Sequence, residues 1–361
     1  MVSLESARQI WSRPQPLLFF TRWITNICAP VFFLLAGTGA ALALGKKTRS
    51  ELSRFLFTRG LWLIFLEIVV LRCFAWQFNL DFHLTLLVVI WALGWAMITL
   101  AALIYLPLWV ITAFGVIMIA THNLLDQIPL AALGRLLPLG LILHAPGFLW
   151  QGSDHILFVA YPLIPWVGVT ALGFALGGVY CWEASRRQAF LLRLGLAMCL
   201  AFVVLRGINA YGDPSPWSHQ SSGLYTVLSF LNTAKYPPSL LFLLMTLGPA
   251  MLGLRAFERW PLAAFRPLLS FGRVPLFFYF LHVVLIHLLA VAICYTRYGH
   301  VYWMFQSPDL ANYPVTPPPG WGFGLPTIYM LWVLVVIALY PVCRWFAALK
   351  QRRHDAWLSY L

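Results

Sequence analysis

The 361 residues are 61% apolar and 16% aromatic but only 10% charged. A soluble domain carries about 25% charged residues, so this composition excludes a water-soluble globular protein and points to an integral membrane protein. The net charge of +13 would suggest nucleic acid in a soluble chain, but here the basic residues fall on alternate loops, as membrane orientation requires, and no nucleic-acid partner is implied.

Taken in chain order, nine apolar segments are long enough to span a bilayer. Residues 1–19 hold no apolar run of signal-peptide length and read as an external N-terminal segment. The first span, 20–44, opens on Thr21–Gly37, "TRWITNICAPVFFLLAG", with Arg22 and Asn26 at its mouth and Pro30 in its body. The second, 53–76, carries Glu67 near its middle, and the third and fourth cover 83–104 and 106–122. The run 128–150 is also apolar, but Gly134, Pro138, Pro146 and Gly147 break it, which predicts an interfacial or re-entrant segment. The fifth span, 156–180, contains Gly173, Gly177 and Gly178 at a spacing that permits close helix packing. The sixth, 190–209, runs into "RGINAYGDP", and the seventh, 236–254, follows "KYPPS". The eighth, 268–296, contains His282 and His287, and an external loop rich in proline and aromatics, 297–323, leads to the ninth, 324–347. No soluble domain interrupts the series, so 1–361 reads as a single transmembrane domain of an all-α polytopic membrane protein.

Lys46, Lys47, Arg49, Arg54 and Arg59 follow or open the spans at one side, joined by Arg186, Arg187 and Arg193, by Arg255, Arg259, Arg266 and Arg273, and by Arg344, Lys350, Arg352 and Arg353. The intervening loops contain only Arg135 and Arg297. Positive-inside bias then places the C-terminus in the cytoplasm. Nine spans with that parity put residues 1–20 outside, with nothing before them to drive the crossing. A preceding helix is expected, either because Met1 is not the biological start or because the gene is truncated.

The ionisable residues inside the apolar runs are the candidates for chemistry. Glu67 lies eight residues after Arg59, about two helical turns, and five before Arg72, which predicts either a buried ion pair or a carboxylate lining a cavity. His282 and His287, about 140° apart around a helix, do not make one metal face, and His282 is the better acid–base candidate. A third group gathers at the ends of spans on one side: Arg22, Asn26, Arg72, Gln77, Asp81, His83, His155, Arg206, Asn209, Tyr211, Asp213, Lys235, Tyr236 and Ser239. So many donors and acceptors together imply a polar cavity opening to that side. On the opposite side the basic loops could hold phosphates. Walker, GxGxxG, GxSxG and metal-ligand patterns are missing, as is any Cys-x-x-Cys among Cys28, Cys73, Cys181, Cys199, Cys294 and Cys343, which read as small buried hydrophobes. ATPases and common hydrolases are thereby excluded, and no metal is expected.

The segments "FFTRWITNICAPVFFLLAG", "FTRGLWLIFLE", "YPLIPWVGVTALGFALG", "RGINAYGDPSPW", "KYPPSLLFLLMTLGP" and "GRVPLFFYFLHVVLIH", in that order, resemble the bacterial relatives of heparan-alpha-glucosaminide N-acetyltransferase. The resemblance implies a ten-helix membrane acyltransferase lacking its first helix, which in relatives ends in an Asp-His-x-Arg motif. It also implies an activity: acetyl passes from cytosolic acetyl-CoA to the amine or hydroxyl of a glycan or glycolipid acceptor across a bacterial inner membrane. Asn26 stands where close relatives usually carry His. On this reading Glu67 and His282 are catalytic. Arg22, Asn26, Arg72, His83, Arg206, Asn209, Lys235 and Tyr236 bind the acceptor, and Arg59 and Arg273 bind the coenzyme A phosphates.

Two other classes use the same residues. A transporter or flippase of a sugar- or lipid-linked molecule would need the cavity, the intramembrane charges and the broken 128–150 segment. A catalytically degenerate relative would follow from the missing helix and from Asn26.

Overall fold

The computed structural model describes residues 16–74, 78, 80, 82–260, 265–305, 320–353, 355, 358 and 360. Residues 1–15, Gln77, Asp81 and residues 306–319, which entered the expectations above, lie outside the described residues.

A turn at Asn26 and Ile27 divides the first span into α1 (Pro16–Thr25) and α2 (Cys28–Ala43). Pro30 accounts for the break: it has no N–H to give to the Asn26 carbonyl four residues back, and its ring crowds that carbonyl. After α2 the chain turns into α3 (Arg49–Phe65), which opens with a capping box. The Thr48 hydroxyl accepts the Glu51 N–H at 3.2 Å, and the Glu51 carboxylate accepts the Thr48 N–H at 2.8 Å. That backbone bond to Thr48, helped by its hydroxyl, holds the Glu51 carboxyl below the usual carboxylate range. The helix then loosens into a π turn, Leu66–Leu71, and closes with Arg72–Phe74.

The third and fifth apolar runs are not helical from their first residues. Each begins as a strand: β1 (Leu84–Leu87) leads into α4 (Val89–Leu103), and β3 (Ile156–Val159) leads into α7 (Leu163–Val179). Between them come α5 (Leu108–Thr121), 3-10 turns over His122–Gln127 and Leu130–Leu136, the short α6 (Leu137–Leu143) and β2 (Gly147–Gln151). The broken run 128–150 thus holds no long helix. β1 pairs in parallel with β3, Leu84 opposite Ile156, and β2 pairs antiparallel on the other side of β3.

The second half is simpler. α8 (Ala184–Ile208), α9 (Gly223–Leu231), α10 (Leu240–Arg259), α11 (Arg266–Gly272), α12 (Pro275–Tyr298) and α13 (Leu325–Arg352) follow in order. The eighth apolar run is therefore two helices, divided at Arg273 and Val274 because Pro275 starts a new helix at its first position. Among the described residues, six stretches are long and apolar enough to cross a membrane: Pro16–Ala43, Leu108–Gln127, Ala184–Ile208, Leu240–Arg259, Pro275–Tyr298 and Leu325–Arg352. Val89–Leu103, Leu130–Leu143 and Leu163–Val179 are shorter apolar helices. With only one small sheet among the described residues, the chain is an all-α polytopic membrane protein.

Small residues let these helices touch backbone to backbone, as expected where lipid supplies no hydrophobic drive between helices. α2 crosses α7 where the Thr38 hydroxyl donates to the Gly173 carbonyl at 2.9 Å, and a Cβ on Gly173 would overlap the Leu34 carbonyl. α3 crosses α4 at a reciprocal pair: a Cβ on Gly60 would lie 2.6 Å from the Gly94 oxygen, and one on Gly94 would lie 2.7 Å from the Gly60 oxygen. Gly94→Leu is therefore expected to force α3 and α4 apart at a cost of about 1–3 kcal/mol. The purified protein should show a clear drop in unfolding temperature. Gly39→Leu should leave that temperature unchanged, since nothing lies within 4 Å of a Cβ there.

Candidate active site

Glu67 sits in the π turn, 3% exposed. Its carboxylate accepts the backbone N–H groups of Ile90 at 2.9 Å and Trp91 at 3.2 Å. These are open donors of the first turn of α4, which lack partners inside their own helix and carry the positive end of its dipole. The predicted ion pair with Arg59 or Arg72 is not formed: none of the ion pairs among the described residues includes Glu67. Arg59 instead lies over the Phe55 ring at 5.8 Å. Arg72 donates to the Thr85 hydroxyl at 2.6 Å and stacks over the Phe82 ring at 3.9 Å, tying the end of the π turn to β1. The donors of α4 displaced the arginines because a sequence spacing within one helix says nothing of a second helix that starts alongside it.

Around this carboxylate the breaks in the helices bring tyrosines together. Tyr161, in the link from β3 to α7, stacks on Trp166 at 5.4 Å, and Trp166 in turn stacks on Phe33 of α2 at 4.6 Å. The Tyr161 hydroxyl lies 3.4 Å from that of Tyr236 in the Lys235–Pro238 turn. Tyr279 of α12 and Cys28 at the start of α2 lie near Tyr161, and Glu67 lies near Tyr279. Cys28 and Cys181 are exposed, contrary to the expectation of buried fillers, Cys73 and Cys199 are half-buried, and Cys294 and Cys343 are buried as expected. One turn along α12, His282 meets the Tyr279 ring edge-on at 5.5 Å. Its Nδ1 lies 3.1 Å from the Phe278 carbonyl. An N–H on Nδ1 donates to that oxygen and leaves Nε2 as the nitrogen with a lone pair.

The sequence-predicted acceptor residues divide into two sets. Lys235 and Tyr236 belong to this cluster, with the Lys235 ammonium 5.4 Å over the Tyr236 ring, and Asn26 lies in the turn just before Cys28. Arg206 and Asn209 are committed to a loop. Arg206, 1% exposed, donates to the carbonyls of Ser215, Ser229, Phe230 and Asn232 and lies 3.8 Å from Asp213. Asp213 accepts from Ser215 N–H, Ala234 N–H and the Ser239 hydroxyl, while Asn209 exchanges two bonds with the Trp217 backbone. Tyr211 donates to the Ala120 carbonyl at 2.5 Å, and burial, reinforced by Asp126, pushes its phenol up from the ordinary value. His83 lies at the end of the sheet with Nδ1 3.1 Å from the Asp154 carbonyl, and Arg22 is exposed on α1.

A polar cavity of about 500 Å³ opens at the base of α12 between α11 and α13. Arg266, Ser270, Arg273, Tyr340, Arg344 and Gln351 line it. Arg273 was predicted to meet phosphates and is here joined by two further arginines, whereas Arg59 does not line this cavity. No group of three or more His, Cys, Asp or Glu side chains suited to a metal ion forms among the described residues.

The family model described as "Heparan-alpha-glucosaminide N-acetyltransferase, catalytic" matches residues 8–208, more than half of the chain. The chain belongs to this family. No curated protein and no solved structure matches it. The matched region contains Asn26, Cys28, Glu67, Tyr161 and Arg206, while Tyr236, Tyr279, His282 and the three arginines of the basal cavity come from the remainder of the chain. Tyr161 and Tyr279 went unnoticed in the sequence because aromatics are common throughout it.

Replacing Glu67 tests its structural share directly. Glu67→Leu leaves two buried N–H groups without an acceptor, at about 1–3 kcal/mol each, and should lower the unfolding temperature markedly. Glu67→Gln keeps an amide oxygen for the same donors and should retain most of the stability, as thermal unfolding of the two purified variants would show.

Proposed function

We propose that the chain is a transmembrane acetyltransferase that takes acetyl from acetyl-CoA on its basic side and passes it to an amine or hydroxyl of a glycan or glycolipid on the other side. The reading places it in a bacterial inner membrane with a cytoplasmic C-terminus, in keeping with the distribution of Arg and Lys. The observation that carries the proposal is the relation between the arginine cavity and the tyrosine cluster. The three-arginine cavity lies at the base of α12, and Tyr279 and His282 stand on the first two turns of the same helix. His282 stands seven residues into α12 from Pro275, about 10 Å of helical rise, a distance a pantetheine arm can bridge.

In this reading Arg266, Arg273 and Arg344 pair with the phosphates of the donor. The His282 Nε2 removes the proton from the acceptor as its nitrogen or oxygen attacks the thioester carbonyl. The hydroxyls of Tyr161, Tyr236 and Tyr279 donate to the developing oxyanion, and collapse of the intermediate releases coenzyme A as the thiol, protonated from the histidine. Glu67 fixes the start of α4, Lys235 and Asn26 face the acceptor, and Arg206 and Asn209 shape the loop above it.

The test is release of coenzyme A by the purified full chain, given acetyl-CoA and glucosamine. His282→Ala is expected to lower kcat by about 100-fold or more. Arg273→Ala and Arg344→Ala should each raise KM for acetyl-CoA by about tenfold while changing kcat little, since they act on binding in the ground state and transition state alike. Wild-type protein that neither binds nor consumes acetyl-CoA, or an Arg344→Ala variant with unchanged KM, would overturn the reading.

A further inference from the structure

Another cavity, of about 660 Å³, lies between α1, α12 and α13, outside the cluster described above. Ile24, Ile286, Ala290, Ile293, Trp332 and Val335 give its wall an almost wholly hydrocarbon face. The Thr21 hydroxyl and the Tyr329 hydroxyl are hydrogen-bonded to each other, and Thr21 also bonds the Leu17 carbonyl. The Thr25 hydroxyl donates to the Arg22 carbonyl, so the hydroxyls in the wall are satisfied within the protein. A volume of this size is in the range of small-molecule sites, about 300–1,000 Å³.

The groove ends on a cation. Ile286, Ala290, Ile293 and Arg297 follow one another at steps of four, three and four residues, which places them on one face of α12. Arg297 is therefore the next residue along the stripe that lines the groove. Its Nη1 donates to the Gly322 carbonyl at 3.5 Å, and its guanidinium stands 5.7 Å from the Phe323 ring and 5.5 Å from the Tyr298 ring. Gly322 and Phe323 themselves line the cavity, so the guanidinium sits at its rim. Among the described residues no carboxylate forms an ion pair with Arg297. Positive-inside bias does not explain it either, because it lies on the side of the chain that is otherwise poor in basic residues.

We infer that this groove binds one chain of an anionic glycerophospholipid, with the lipid phosphate on Arg297. An apolar trough within a membrane-spanning bundle accepts hydrocarbon, and a guanidinium among aromatic rings at the interface is suited to bidentate phosphate pairing. The acyl chain lies along Ile286, Ala290 and Ile293 against Trp332. The site does not depend on the acetyltransferase reading.

The test uses the purified full chain in detergent, titrated with phosphatidylglycerol or phosphatidylcholine and examined by native mass spectrometry. Wild type should retain one phosphatidylglycerol per chain, about tenfold more tightly than phosphatidylcholine. Arg297→Gln, a change at an exposed position, should erase the preference between the two lipids. Ala290→Trp, which fills the trough, should abolish retention of both, with its elution profile and unfolding temperature in lipid-free detergent checking that it is folded. Equal retention of the two lipids by wild type, or a phosphatidylglycerol preference that survives Arg297→Gln, would overturn the inference.

Discussion

Inside a bilayer every backbone N–H and C=O must find its partner within the protein. This chain meets that constraint in an unusual place, because α4 and α7 both start from strands rather than from a free turn. Parallel pairing of β1 with β3 satisfies the approach to each helix, and the Glu67 carboxylate takes the open donors of α4. The π turn that presents Glu67 and the Pro30 break that denies the Asn26 carbonyl its helical donor belong to the same solution. Where several helices begin or loosen at once, side chains rather than regular backbone fill the space. That is how Cys28, Glu67, Tyr161, Tyr236 and Tyr279 come to form one cluster.

The rest of the bundle holds that cluster in shape. Glycine pairs let α3 meet α4 without intervening side chains, and α2 meets α7 at Gly173. On the rim, Arg206 and Asp213 tie residues 209–239 into one hydrogen-bonded unit and so fix the turn that carries Lys235 and Tyr236. Arg206 therefore shapes the site while its own donors are occupied by carbonyls.

Much of this was readable from the residues alone. Apolar run length marked the helices, and ionisable residues within those runs drew attention to Glu67 and His282, as those at the span ends did to Arg206. The strands at 84–87 and 156–159 were not readable, because a four-residue apolar run has the same pattern in a strand as in a buried helix. The partner of Glu67 was missed for a different reason. Spacing compares positions on one helix, and its donors come from Ile90 and Trp91 on the next. Charge marked Arg273 as a residue of the basic side, but only the packing of α11 against α13 joined it to Arg266 and Arg344 and set Arg59 apart.

The account turns on one route, from the arginine cavity along the first turns of α12 to the tyrosine cluster. A density map of the purified chain with a non-hydrolysable acetyl-CoA analogue bound tests it most directly. The account predicts phosphates among Arg266, Arg273 and Arg344 and the acyl carbonyl beside Tyr279 and His282. Phosphates bound elsewhere, or an acyl group that does not reach the cluster, would contradict it.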